Sequence, residues 1–286
     1  MRVVRFDRPE AFLEAAGSFL EADEAVHNVP LSVAGACRDD PGRYAGPNYF
    51  ATVEEEGRIV GVASRTHPYR LLFYAPPEVA AAVAEDLARA GHEPPGVHGP
   101  APSADAFANA WCEPRGLQAR RDKDLRAFLL DAVIPAPPTP GGMRPASEAD
   151  LPLAESWYRA FEEEAMPGAP GNPPEEVARR NVRSGRLFLW EVGGRPVAQA
   201  AASGSTPNGV RVGSVYTPPA HRRRGYATAL VGALSERLLA QGKRCCYLFT
   251  DLANPISNSI YPKVGYRPVG DYRDWDFTAG ARPGAH

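Results

Sequence analysis

Between Ile134 and Gly142 the chain reads IPAPPTPGG, with four prolines and two glycines in nine positions. Proline has no amide hydrogen to give to a helix or a ladder, so a run this dense sustains neither. The 286 residues are therefore cut in two, and each part is long enough to bury a core of its own. The expected organisation is a domain over residues 1–133, a linker over 134–142 and a second domain over 143–286.

The two parts share a coarse order. Upstream, residues 9–22 carry apolar side chains at helical spacing. NYFATVEEEGRIVGVASRT reads as two strands around Glu56-Gly57, and RLLFY leads into PPEVAAAVAEDLARAG, a helix opened by prolines and closed by glycine. Downstream, helices are expected near 147–164 and 174–184, followed by the strands RLFLWEV, RPVAQAAASG and VRVGSVYTPP. A helix from Gly225 to Gln241 sets Ala227, Leu230, Val231, Leu234 and Leu238 on one face, with Gly242 as its stop. The strand RCCYLFT, a short helix ending before Gly265 and a terminal strand pair in YRPVGDYRDWDF complete the chain. A mixed α/β class follows, and the shared order suggests an internal duplication.

Several function classes drop out on composition. With 44% hydrophobic and 23% charged residues and a formal net charge of −2, no nucleic-acid partner is called for. Cys37, Cys112, Cys245 and Cys246 form no CxxC pattern, which fits reduced thiols in a cytoplasm. The amino-terminal stretch has acidic residues among its apolar positions and makes a poor signal peptide, and no segment approaches the ~20 apolar residues that span a bilayer. The histidines show no paired metal-ligand spacing and no GxSxG elbow is present, so neither a metal nor a serine nucleophile is expected.

The first chemically informative stretch is PPAHRRRGYA, residues 218–227. Pro218 and Pro219 stop the strand ending at Thr217, and the amphipathic helix opens near Gly225, so Arg222, Arg223 and Arg224 fall in the strand-to-helix turn. The first turn of a helix offers amide hydrogens without intrahelical partners, and the helix dipole adds partial positive charge there. Gly225 lets backbone come close and Ala227 keeps the next turn small. A phosphate on these amides is the anion such a turn suits, although the pattern is neither a P-loop nor GxGxxG. The second stretch is TDLANPISNSIYPKVGYRPV, where Asn254 and Tyr261 stand seven residues apart, Ser257 fills a small position between them, and Lys263, Gly265 and Tyr266 follow.

Together the two stretches resemble the GNAT superfamily of acyl-coenzyme A-dependent N-acyltransferases. Arg222-x-x-Gly225-x-Ala227 is similar to its pyrophosphate loop, and Asn254 to Tyr266 to its N-x-x-(A/S)-x-x-x-Y-x-K-x-G-(F/Y) signature. The resemblance implies two GNAT-like domains, each a mostly antiparallel twisted sheet flanked by helices, with catalysis in the second and a first that lacks both motifs. It implies acetyl-coenzyme A as co-substrate, held by Val215, Tyr216 and Thr217 along the pantetheine arm. The loop Arg222, Arg223, Arg224, Gly225, Tyr226 and Ala227 would hold the pyrophosphate, and Asn254 would add a contact. Tyr261 is then the general acid, since a phenol of pKa about 10 can give its proton to a departing thiolate near 8.5. Backbone N–H near Val215 or Tyr216 would serve the oxyanion. Asp251 and the run Glu162-Glu163-Glu164 are candidates for the base, which is left unassigned. The expected partner is a small-molecule or peptide amine, bound by a monomer or homodimer. The alternative is a non-catalytic protein that senses acyl-coenzyme A.

Overall fold

The two halves repeat one another element by element. In the computed structural model, which describes all residues except 45, 166, 169–171 and 280–286 and the side chains of 256 and 257, the first half runs β1 (Arg2–Phe6), α1 (Pro9–Ala22), α2 (Glu24–Asp39), β2 (Tyr49–Glu55), β3 (Arg58–Arg65), β4 (Leu71–Tyr74), α3 (Ala80–Arg89), β5 (Gly96–Pro100), α4 (Ala101–Cys112) and β6 (Leu117–Leu130). The second runs β7 (Gly142–Pro145), α5 (Leu151–Ala165), α6 (Pro174–Arg183), β8 (Leu187–Val192), β9 (Arg195–Ser203), β10 (Gly209–Tyr216), α7 (Tyr226–Ala240), β11 (Cys245–Asp251), α8 (Pro255–Val264) and β12 (Arg267–Ala279). No helix among the described residues is long and apolar enough to cross a membrane.

Two compact units result, one of residues 1–127, 251–253 and 270 onward, the other of 128–250 and 254–269. In the first, the strands lie in the order β1-β2-β3-β4-β5-β12-β6; in the second, β11-β10-β9-β8-β7. β1–β2, β2–β3, β3–β4, β5–β12, β7–β8, β8–β9 and β9–β10 pair antiparallel, whereas β4–β5 and β10–β11 are parallel. These mixed sheets, antiparallel for the most part and flanked by helices, are the expected fold class.

In the second unit the period of two decides which layer each side chain meets. Leu187, Leu189, Ala201 and Tyr216 face Ala154, Trp157 and Tyr158 of α5 and Ala178 and Val182 of α6. Phe188, Trp190, Ala200 and Ala202 face Leu230, Val231 and Leu234 of α7. Of the apolar stripe read for that helix, Leu230, Val231, Leu234 and Leu238 are buried and Ala227 is half-buried; truncating a fully buried leucine such as Leu230 to alanine would cost about 2–5 kcal/mol.

The sequence reading places no element at β1, β5, α4 or β7, and three further elements differ from it. The expected terminal strand pair is one strand: Tyr272–Asp276 of β12 pair with Pro100–Gly96 of β5, so the chain runs straight through Gly270 instead of turning. α2 has Pro30 inside it, which masked its helical pattern; Asp23 opens it by accepting from the Val26 amide at 3.2 Å. β6 carries LQARRDKD, too charged to read as a strand. Its charges are spent on ion pairs of Arg126 with Asp271 at 2.7 Å, Asp122 with Arg70 at 2.6 Å and Asp124 with Arg273 at 2.8 Å.

The proline-rich stretch forms no helix or strand before β7, yet it is pinned to the second unit. The Ile134 amide donates to the Val264 carbonyl at 2.8 Å, and the Trp190 indole to the Pro140 carbonyl at 2.9 Å.

Candidate functional site

β10 and β11 begin as a parallel pair and then part. Their register runs from Gly209↔Cys245 to Arg211↔Tyr247, while β10 continues to Tyr216 and β11 beyond Tyr247. On its other edge β10 holds β9 from Arg211↔Ser203 to Gly213↔Ala201 and again at Tyr216↔Gln199, so three steps on β10 oppose two on β9. This is a β-bulge, and Ser214 occupies it at φ +49°, a left-handed conformation that costs a non-glycine residue energy. Tyr158 of α5 steadies the bulge: its buried hydroxyl bonds the Ser214 side chain and accepts from Asn181 Nδ2 at 2.7 Å. A bulged residue leaves its backbone groups out of the ladder, which is the local condition for Val215 and Tyr216 to meet a ligand.

Beyond Tyr216 the chain turns into α7. Val215 and Thr217 are half-buried and Tyr216 is buried. Thr217 Oγ1 is buried with no hydrogen-bond partner. Arg223 at φ +62° and Gly225 at φ +80° both take the left-handed conformation. Gly225 is the N-cap of α7 and no side chain caps the helix, so the first-turn amides of Tyr226, Ala227 and Thr228 have no side-chain acceptor. Arg223 and Arg224 are exposed, whereas the Tyr226 ring is buried in the core and leaves only its backbone for binding. Thr139 of the proline-rich stretch comes alongside: its Oγ1 would lie 3.5 Å from a Cβ placed on Gly225.

Arg222 behaves differently from its neighbours. Its Nε donates to the Thr217 carbonyl at 2.8 Å, its Nη2 to Glu164 Oε2 at 2.5 Å, and its guanidinium lies 5.8 Å from the centre of the Tyr216 ring. Glu164 also accepts from the Tyr216 hydroxyl at 3.3 Å. Burial first, then the Glu164 carboxylate, push the Tyr216 phenol above its ordinary value. Arg222 thus ties the end of α5 to the end of β10, and Glu164, read from sequence as a candidate base, already holds two donors. Glu163 is exposed; Glu162 is half-buried, and burial and then Glu175 raise its carboxyl above the usual range. Asp251 accepts from the Ala253 amide at 2.8 Å.

The second motif forms α8 and the turn after it. Asn254 precedes the helix, exposed, and its carbonyl accepts from the Asn258 amide at 3.2 Å. The side chain of Ser257 lies outside the described residues. Tyr261 is 7% exposed, with its ring 6.4 Å from Phe128 and edge-on to Tyr266 at 6.0 Å. Burial pushes its phenol up to about 12. Tyr266 is structural, its hydroxyl 2.9 Å from Ser235 Oγ inside the core. Gly265 has φ +111°, and a Cβ there would come within 2.7 Å of the Ala132 carbonyl, so the motif's glycine admits the chain entering the proline-rich stretch.

Sequence reading missed Ser214, Tyr158, Thr139 and Gln199. Only the bulge had a local signal, in the Gly-Ser of VGSVY; the others enter through register and packing. Among the described residues no group of three or more His, Cys, Asp or Glu could hold a metal ion.

Comparison with known proteins bears on the same region. The model of the acetyltransferase (GNAT) family matches residues 153–266, from α5 through Tyr266. A search of curated proteins finds no significant match. Among solved structures, a GCN5-related N-acetyltransferase from Sphaerobacter thermophilus is similar at TM-score 0.61 and 18% identity, over 96% of this chain and 94% of that one. A GNAT-family acetyltransferase from Colwellia psychrerythraea gives 0.57 and 14%, over 97% and 99%. A tandem GNAT protein from the clavulanic acid biosynthesis pathway gives 0.55 and 16%, over 99% of both chains. Residues 153–266 thus match the GNAT acetyltransferase family model, and the chain has the fold of these solved GNAT structures over nearly its whole length.

Proposed function

We propose that the second half binds acetyl-coenzyme A and transfers its acetyl group to a primary amine. One observation carries this reading: the parallel pair β10–β11 parts beyond Arg211↔Tyr247, and its open side leads through a bulge to a helix start that no side chain caps. The strand edge suits the amides of a pantetheine arm. The α7 amides, with Arg223 and Arg224 exposed beside them, suit a pyrophosphate. Arg222 serves the site by fixing Tyr216 and Glu164, and Asn254 lies on the rim.

In the reaction the neutral amine attacks the thioester carbon, and a tetrahedral oxyanion forms that a backbone N–H near Val215 stabilises. The C–S bond then breaks, the nitrogen gives its extra proton to solvent, and the thiolate accepts one from Tyr261, whose phenolate is reprotonated from solvent before the next turnover. At a pKa of about 12 Tyr261 keeps its proton throughout the physiological range, which a donor must do. The same burial favours a second reading, an acyl-coenzyme A-binding protein without turnover, because a core tyrosine needs no catalytic role. Release of free thiol from acetyl-coenzyme A across a panel of amines decides between them. Amine-dependent release, lost in the double variant Arg223→Glu with Gly225→Trp, supports transfer. Binding without release supports the sensor, and no binding removes both.

A further inference from the structure

Gln199 lies in the middle of β9, wholly buried, and neither its amide oxygen nor its amide nitrogen has a hydrogen-bond partner. A primary amide taken out of water unpaired is costly, whereas leucine in the same space has nothing to satisfy. Among the described residues of the second unit, the other buried side-chain polar atom without a partner is Thr217 Oγ1. The two residues flank Tyr216: Gln199 is its register partner on β9, and Thr217 follows it in sequence.

The first half supplies the control. Tyr74 is the last residue of β4 and faces Val62 of β3, just as Tyr216, the last residue of β10, faces Gln199 of β9. Val62 is fully buried and apolar. The same fold with the same strand order is therefore satisfied by valine, and the amide at 199 is not a requirement of the architecture. Its register partners Leu189 and Tyr216 both belong to the face under α5 and α6, opposite the face that packs on α7. On that face the Gln199 side chain lies beside the β10 bulge, beneath α5 and α6 and with no exposed surface of its own.

We infer that Gln199 is a specificity residue for the acceptor, and that the acceptor is an amine carrying a neighbouring amide, as at the amino terminus of a peptide or in an amino-acid amide. The glutamine side chain offers an oxygen that accepts and a nitrogen that donates, and one amide unit presents the matching N–H and C=O together. A simple alkylamine satisfies neither group. This rests on the acetyl-transfer reading above and deepens it.

The test compares glycinamide, a dipeptide amide and propylamine as acceptors, for wild type and Gln199→Leu. Three readouts are taken: kcat/KM for thiol release, acceptor-induced thermal shift with and without coenzyme A, and coenzyme A affinity by calorimetry. Wild type is expected to favour the amide-bearing amines by about tenfold or more, and the variant to bring that ratio near one. The variant's coenzyme affinity should hold and its melting temperature should rise by about 1–3 °C, because an unpaired buried amide is removed. No preference in wild type for amide-bearing amines, in turnover or in thermal shift, overturns the inference, as does a variant that keeps the full preference. A variant that melts lower with its preference intact identifies Gln199 as a structural residue bridged by water. Failure to bind coenzyme A at all instead removes the reading on which the inference rests.

Discussion

The strand pairs β4–β5 and β10–β11 occupy the same place in the two halves and have opposite fates. In the first, the parallel pairing Leu71↔Val97 and Leu72↔His98 is followed at once by side chains that fill the space beyond: the Tyr74 hydroxyl lies 3.0 Å from His98 Nε2, His98 Nδ1 lies 2.6 Å from Asp274, and His98 stacks on Tyr272. Burial opposes the charge on Asp274, but His98 and Arg70 beside it hold its carboxyl below the ordinary range. The ionised carboxylate then accepts from Nδ1–H, and the Tyr74 hydroxyl is hydrogen-bonded to Nε2. In the second, β10 bulges, the Gln199 amide and Thr217 Oγ1 are left without partners, and a left-handed turn leads into an uncapped helix. The approach to α3 has no such turn, since Val79 before it sits at φ −94°. At the end of the first pair the polar groups satisfy one another, although Thr52 Oγ1 on β2 and Ser64 Oγ on β3 are also buried without partners; at the end of the second, Gln199 and Thr217 Oγ1 stand unpaired.

Substitutions can break or sharpen that contrast. The largest effect is expected from Tyr261→Phe, which should lower kcat by about 10²- to 10⁴-fold with little change in coenzyme affinity. Because the phenol's pKa is raised to about 12, the protonated form needed for donation persists as pH rises, and Tyr261 imposes no alkaline limb on kcat below that value. A limb in the mildly alkaline range that vanishes in the variant would remove the assignment. Next, Gly225→Val forces a side chain into the left-handed region beside Thr139, and coenzyme affinity should fall about tenfold to a hundredfold. Undiminished affinity in calorimetry would show that the turn is not where the anion sits.

Val62→Gln copies the second half's arrangement into the first. It should cost about 1–3 kcal/mol in denaturant unfolding, since a buried amide there has no ligand to meet, while turnover stays unchanged. Tyr74→Phe removes the hydroxyl bonded to His98 and should cost about 1–2 kcal/mol with coenzyme binding intact. A loss of binding in either would mean the first half takes part. The smallest effect is Glu164→Gln: with both partners nearly half exposed, the ion pair with Arg222 contributes under about 1 kcal/mol to stability.

What sequence could show was local. The loop at 222–227 and the run from Asn254 to Tyr266 were legible because turn chemistry and helix-start chemistry lie within a few residues of each other. The duplication was legible as an order of elements, without the exact correspondence of ten elements to ten. Gln199 was not, because in RPVAQAAAS it is one polar residue in an apolar strand. Its meaning comes from facing Tyr216, and register is fixed by pairing between distant segments. β6 and β12 were obscured for the same reason, their charges making sense only across the sheet. Tyr261 was legible as a motif position, whereas its burial depends on Phe128 and Tyr266 packing around it.

Calorimetric titration of the full chain with coenzyme A tests the central contrast most directly. The account predicts one site per chain, abolished by Arg223→Glu with Gly225→Trp and untouched by Tyr74→Phe. Two sites per chain, or one that survives the double substitution, would contradict it.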